Sequence, residues 1–446
     1  MEFIPNNKLF FYLSAGAKAA VIEYIYTLTV PVNPDILRLA VKDAVTAFPL
    51  SQLKPVISQD GKLSAVLSNV TADDMPVYQY DGSPVRLGTE DTNGYLFRVC
   101  WSDNRIILIA SHGIGDGRGI HSFLQTIVYY YLTRLGQKID TEGLIYTMED
   151  LSDPSITDSL NEKAKDFCHF DNENHETDDD SPSINADDIF YPPEQKIYLK
   201  TPKTRLFEII LDNNKFTETA KAFGGTPLTF VHALAAETMY AFYKITDKFI
   251  VANVPVDLRG ALGSRSQSNF TFNINLNISS DDLRLDMNTL MKTLRSRLKK
   301  TTEPGSMLKG IASSDAYYAY FDQISLADDS MLKAFSDYVI NLPPSRTYLL
   351  TNIGRFNLPK DMMPLVSDIE ILFPVVESTP VFTMITYKDK ASLIIGQNYE
   401  DEGFIEALRN TFAQYGIETE LKNHGLVILD DVKIMDFPRE TDSLEP

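Results

Sequence analysis

The run "RIILIASHGIGDGRGIHSFLQTIVYYYL", Arg105 to Leu132, restricts the fold of this chain more than any other stretch. Arg105–Ser111 is apolar and β-branched, which suits a buried strand. Glycines at 113, 115, 117 and 119 then break the strand and leave the chain free to turn. From there to Leu132 an apolar-rich segment reads as a helix. The strand thus delivers His112 at its end, and Asp116 follows four residues later at the helix start.

Imidazole is the side chain best poised near neutral pH to take a proton from a hydroxyl or an amine. His112 is therefore a candidate general base, with Asp116 shaping the turn. Asp116 can equally be no more than the N-cap of the helix, with His112 a residue that happens to end a strand. Strand, glycine turn and helix is also the grammar of nucleotide binding. Here the glycine spacing does not give GxGxxG, and no Gly-Lys-Ser/Thr follows. Gly117 and Gly119 leave room for another backbone or a ligand at the helix start.

Two halves are expected around this turn. In the first, "IEYIYTLTV" reads as a strand and "NPDILRLAVKDAVTAFPL" as a helix, with Asn33 as N-cap and Pro34 at its first position. "GYLFRVCWSD" and "NRIILIASH" form a hairpin around Ser-Asp-Asn. Residues 148–188 hold fourteen Asp and Glu against two Lys, a composition too polar to bury a core. The pattern then resumes with the strand "TRLFEIILD", a helix from Thr226 as N-cap, and the strands "KFIVANVPVDLRG" and "SNFTFNINLNI". "MNTLMKTLRSRLKKTT" is amphipathic, "RTYLLTNIGRF" and the pair in "VFTMITYKDKASLIIGQNY" are strands, and "GFIEALRNTFAQYG" is a closing helix. The expected division is an N-terminal half at 1–147, an acidic crossover at 148–200, a C-terminal half at 201–436 and a flexible tail at 437–446. The fold class is α+β, each half a mixed sheet covered by helices.

A net charge of −20 argues against nucleic acid as a partner, since phosphate binding needs a basic face. No apolar run reaches membrane-spanning length. Two cysteines without CxxC spacing fit a reducing cytoplasm. His121, His169, His175, His232 and His424 show no metal-ligand spacing, and no GxSxG motif occurs, so neither a metal nor a serine triad is expected.

"HGIGDG" resembles the HxxxDG motif of the chloramphenicol acetyltransferase-like acyltransferases, a superfamily that includes alcohol acetyltransferases and the condensation domains of nonribosomal peptide synthesis. "AVKDAVTAFPL", "NVPVDLRG", "SNFTFNIN" and "LLTNIGRFNLP" are similar, in the same order, to further stretches of that superfamily, so the resemblance spans nearly the whole chain. It implies two pseudo-repeated halves with the active site in a tunnel between them. It implies His112 as general base, Asp116 as a structural anion paired with Arg259, and Gly117 as support of the site. Thr351 or Asn352 in "TNIG" is a candidate donor to an oxyanion. No permanently bound cofactor or metal is implied, and acyl-CoA is a co-substrate alongside a small hydroxyl or amine acceptor. The Ser111 position departs from condensation domains, which carry a second histidine there. The resemblance is therefore nearest to stand-alone alcohol acetyltransferases, for which the acyl group is expected to be acetyl. An acyl carrier protein as donor, or a cleft that only binds, are the alternatives.

Overall fold

The strand that carries His112 is the middle of a five-stranded sheet in the computed structural model of the chain. The structure describes residues 3, 5–14, 21–170, 184–196, 203–313, 345–373, 379–428 and 434–440, with single positions between 323 and 334 and at 430 and 432. The strands of the first half are β1 (Val21–Leu28), β2 (Leu53–Ile57), β3 (Leu63–Leu67), β4 (Val77–Gln79), β5 (Phe97–Ser102) and β6 (Arg105–Ser111). Those of the second are β7 (Lys203–Asp212), β8 (Ile250–Asp257), β9 (Thr271–Ile278), β10 (Tyr348–Arg355), β11 (Val366–Leu372), β12 (Val381–Tyr387), β13 (Lys390–Gln397) and β14 (Thr419–Ile428).

The first sheet has the order β11-β1-β6-β5-β4 and the second β14-β7-β13-β12-β10-β8-β9, with β2 and β3 a separate hairpin. Helices Pro34–Ala47 and Gly117–Arg134 pack together over the first sheet. Asn33 caps the former by accepting the N–H groups of Asp35 and Ile36, which satisfies two otherwise orphaned donors. Helix Pro227–Tyr243 is the counterpart in the second half. It is capped by Thr226 and packed on helix Gly403–Gln414 and β10. Two mixed, helix-covered sheets make this the α+β, two-lobed architecture expected of the sequence.

The halves of the chain are not the halves of the fold. Strand β11, inside the expected C-terminal half, leaves its sequence neighbours and pairs antiparallel with β1 in the first sheet. It remains tied to the second sheet through Asp368, which accepts from Lys390 Nζ at 2.7 Å, and through Val366 O, which accepts from Tyr387 Oη at 2.8 Å. The expected flexible tail begins with an ordered segment. Phe437 is buried in the first core, and Pro438 O accepts the Ile57 N–H at 2.8 Å. Burial of an aromatic side chain explains why 437–440 docks; residues 441–446 lie outside those described.

The acidic crossover makes defined contacts on either side of its central stretch. Asp150 and Asp153 pair with Arg265, Ile156 O accepts the Gln267 N–H, and Ile189 bridges Phe249. Its most acidic stretch, 171–183, lies outside the described residues.

Asp430, in the segment after β14, accepts two hydrogen bonds from Arg98 on β5, both 2.7 Å, with both side chains almost fully buried. Removing one member of a buried pair strands the other charge, whereas replacing both by apolar groups need not be costly. Asp430→Ala is expected to lose about 3–5 kcal/mol in denaturant unfolding, and Arg98→Met combined with Asp430→Leu to recover most of it.

Candidate active site

The glycines of the turn serve close packing between the halves. A Cβ on Gly119 would stand 2.2 Å from Gln267 O, closer than any side chain tolerates. One on Gly117 would lie 3.2 Å from Ile353 Cδ1 of β10 and 3.3 Å from Tyr24 Oη of β1. Tyr24 Oη also donates to Gly117 O at 2.6 Å, so the helix start is fixed from the strand beneath it.

Asp116 does two jobs. Its Oδ1 accepts the Gly119 N–H at 2.9 Å, capping helix Gly117–Arg134. The same carboxylate takes Arg259 in a bidentate pair, Nη2 to Oδ1 at 2.9 Å and Nη1 to Oδ2 at 3.0 Å, while Oδ2 also accepts the Phe270 N–H at 2.9 Å. Burial works to raise the Asp116 pKa, but the Arg259 charge and these hydrogen bonds outweigh it and hold the carboxyl below its usual range. Arg259 in turn donates from Nε to Ser266 O and from Nη2 to Ser268 O. With both oxygens occupied, Asp116 ties the helix start in one half to Arg259 and Phe270 in the other.

His112 sits at the floor of the cleft between the halves, only partly covered at its surface but densely surrounded by protein. Its Nδ1 lies 2.7 Å from Asn269 Oδ1. Asn269 Nδ2 donates to the His112 carbonyl oxygen at 2.7 Å, which orients the amide. The Asn269 oxygen therefore faces the ring, Nδ1 carries the proton, and Nε2 keeps the basic lone pair. Burial lowers the His112 pKa from 6.5, opposed by the Asp116 charge and the Asn269 hydrogen bond, so the ring is neutral at pH 7. Phe10 stacks on it with centroids 3.9 Å apart, and Phe373 meets it edge-on at 6.2 Å.

The cleft holds about 180 Å³. Phe10, Ile22, His112 and Arg118 line it from one side, and Asp257, Thr271, Asn273, Leu349, Thr351 and Asn352 from the other. Both oxyanion candidates are thus on the wall that faces His112's half. A register shift in the β10–β12 pairing falls between Asn352 and Gly354, and bulges of this kind re-aim side chains. Asn352 Oδ1 accepts the Gly354 N–H at 3.0 Å, which leaves its Nδ2 hydrogens for a ligand. Chemically the cleft offers a neutral imidazole base and hydroxyl and amide donors across from it. Among the described residues, no group of three His, Cys, Asp or Glu is placed to hold a metal.

Among the described residues, His121, His232 and His424 are outside the cleft lining. His121 pairs with Tyr26 Oη and stacks on Phe356, and His232 pairs with Tyr348 Oη; burial pulls each down to about 3. His424 contacts Glu208. The basic helix Met287–Thr301 is also remote from the cleft lining, and Arg297 on it is committed to Asp282. Asn269, Phe10 and Phe373 were not singled out by sequence reasoning. Asn269 lies inside the recognised "SNFTFNIN", whereas Phe10 and Phe373 come from elements without a motif.

No family model matches the sequence, and no curated protein sequence is detectably similar to it. The fold is that of condensation domains and chloramphenicol acetyltransferase-like proteins. TRI101 of F. graminearum, solved with coenzyme A and T-2 mycotoxin, superposes at a TM-score of 0.57 with 12% identity over 94% of this chain and 99% of its own. The epimerization domain from the third module of tyrocidine synthetase B gives 0.54 and 12%, over 93% and 94% of the two chains. Polyketide synthase associated protein 5 from Mycobacterium tuberculosis gives 0.55 and 13%, over 92% and 96%.

Asp116→Asn takes from the buried Arg259 its bidentate counter-charge and leaves it only the less buried Asp257, on Nη1 at 3.0 Å. It is expected to lower stability by about 3–5 kcal/mol in unfolding experiments at neutral pH. Because the Asp116 pKa is depressed in the fold, this contribution is present above the unfolded value of about 4 and disappears as pH falls through the folded one. The Asp116 charge also raises the His112 pKa, so in the variant NMR titration should place His112 still further below 6.5 than in the native protein.

Proposed function

We propose that this protein is an acyltransferase that moves an acyl group from a coenzyme A thioester to a hydroxyl or amine acceptor, with His112 as general base. The observation that carries the reading is the hydrogen bond of His112 Nδ1 with Asn269 Oδ1 at 2.7 Å: with Asn269 Nδ2 on the His112 carbonyl, this geometry favours a proton on Nδ1 and leaves Nε2 as the base in a cleft between two lobes. The shared fold supports it, since one structural neighbour was solved with coenzyme A.

In this mechanism Nε2 takes the proton of the acceptor O–H or N–H as that atom attacks the thioester carbonyl carbon. The carbonyl oxygen becomes negative, and the Thr351 hydroxyl or Asn352 Nδ2 supplies a hydrogen bond to it. Collapse breaks the C–S bond, and the leaving thiolate takes the proton back from the imidazolium. Gly117 lets the helix start approach β10, and Asp116 with Arg259 keeps His112 aimed; neither touches the reacting atoms. The donor is acyl-CoA, with acetyl as the expected group, and the setting is the cytoplasm, where Cys100 is a free thiol. The epimerization domain of tyrocidine synthetase B and the starter condensation domain among the neighbours favour one second reading, an acyl donor presented by a carrier protein.

Thiol release from a panel of acyl-CoAs, with pooled alcohol and amine acceptors, tests the proposal. Acceptor-dependent release is expected from the native protein, with a fall of about 10²–10⁴-fold in His112→Ala. Equal release by the two proteins would remove His112 from the chemistry. No release from free acyl-CoA, but transfer from acyl-carrier protein, would establish the second reading.

A further inference from the structure

We propose that Asn7, on the N-terminal helix Pro5–Ser14, is a positioning residue that fixes the tautomer of His112 through Asn269. The proposal rests on the reading of His112 as the base. It follows from the direction of each hydrogen bond in a buried chain. The Asn269 backbone N–H can only donate, and it donates to Asn7 Oδ1 at 3.2 Å. That assigns the Asn7 oxygen as the acceptor. The same oxygen takes Asn269 Nδ2 at 2.9 Å and Ser268 Oγ at 3.0 Å.

Asn269 Nδ2 has two hydrogens, and both are now spent: one on Asn7 Oδ1, the other on the His112 carbonyl. A flipped Asn269 amide would set oxygen against two acceptors at once. Its oxygen must therefore meet the ring, and His112 must carry its proton on Nδ1. Polarity passes from a backbone N–H that cannot reverse, through Asn7 and Asn269, to the imidazole.

Two further features mark Asn7 as more than packing. It is 1% exposed, and its Nδ2 is buried without a hydrogen-bond partner among the described residues. An unsatisfied buried donor is unfavourable, and a leucine of similar size would avoid it. What the amide contributes in return is an acceptor oxygen that takes three donors. Three residues on, at the spacing that shares a helix face, Phe10 stacks on the imidazole at an interplanar angle of 12°. One face of one helix thus sets both the protonated nitrogen and the plane of the ring. Asn7 does not line the cleft, so it acts through His112 and not on substrate.

The test uses protein labelled with ¹⁵N at histidine and long-range ¹H–¹⁵N spectra at neutral pH, which read the tautomer without any activity. In the native protein His112 should show a protonated Nδ1 and an unprotonated Nε2; the reverse pattern overturns the proposal. In Asn7→Leu the His112 signals should shift toward a tautomer mixture, and kcat should fall about tenfold with KM unchanged. Asn7→Asp restores the acceptor oxygen and should return the native tautomer. A folded Asn7→Leu protein with native His112 signals overturns the role of Asn7. If the tautomer depends on Asn7 while no acyl transfer is detected in the native protein, the functional reading fails and the relay stands.

Discussion

The bidentate pair of Asp116 and Arg259 joins the two halves beside His112, in the cleft proposed as the active site. Asp116 ends the turn after β6, and Arg259 follows β8 in the opposite half. The pair is buried, so its geometry is enforced by the cost of leaving either charge alone. Phe270 N–H on the same carboxylate then places the next residue back, Asn269, against the ring of His112. Cleft width and orientation of the base follow from one ion pair and its neighbours. Asp257 extends the same chain of charges to the cleft mouth, paired with Arg259 Nη1 at 3.0 Å and Arg118 Nη1 at 3.1 Å.

Strand exchange ties the two sheets together beside that junction. Strand β11 adds to the sheet that holds β6, and the segment around Asp430 and Phe437 packs into the same core. The buried Arg98–Asp430 pair and the contacts of β11 with β12 and β13 side chains link the two sheets. Phe373 follows directly on β11, which is how an aromatic from far along the chain reaches the edge of His112. The walls of the cleft come from both sheets.

Much of this was legible in the sequence. Asn33-Pro34 and Thr226-Pro227 predict helix starts that the structure contains, because capping is local chemistry. The hairpin of β5 and β6 and that of β12 and β13 also read directly, since alternation and a polar turn are short-range signals. What escaped is non-local. β11 carries an alternating "VSDIEIL", but nothing in those seven residues says that their partner is β1. The ten residues Pro5–Ser14 follow no Ser, Thr, Asp or Asn in the sequence and are too few for a long amphipathic pattern, yet they bring Asn7 and Phe10 to His112. Asp116 was open to two meanings, helix cap or anchor, and both apply because a carboxylate has enough lone pairs for each.

The most direct measurement is to compare two pH midpoints in the native protein: the titration of His112 by NMR, and the acid limb of kcat/KM for acyl transfer. A general base must be neutral to act, and burial places the His112 pKa below 6.5, so rate should fall as pH drops through that value. The account predicts that the two midpoints coincide below 6.5. An acid limb at a different pH, or a rate that is flat through the His112 titration, would contradict it.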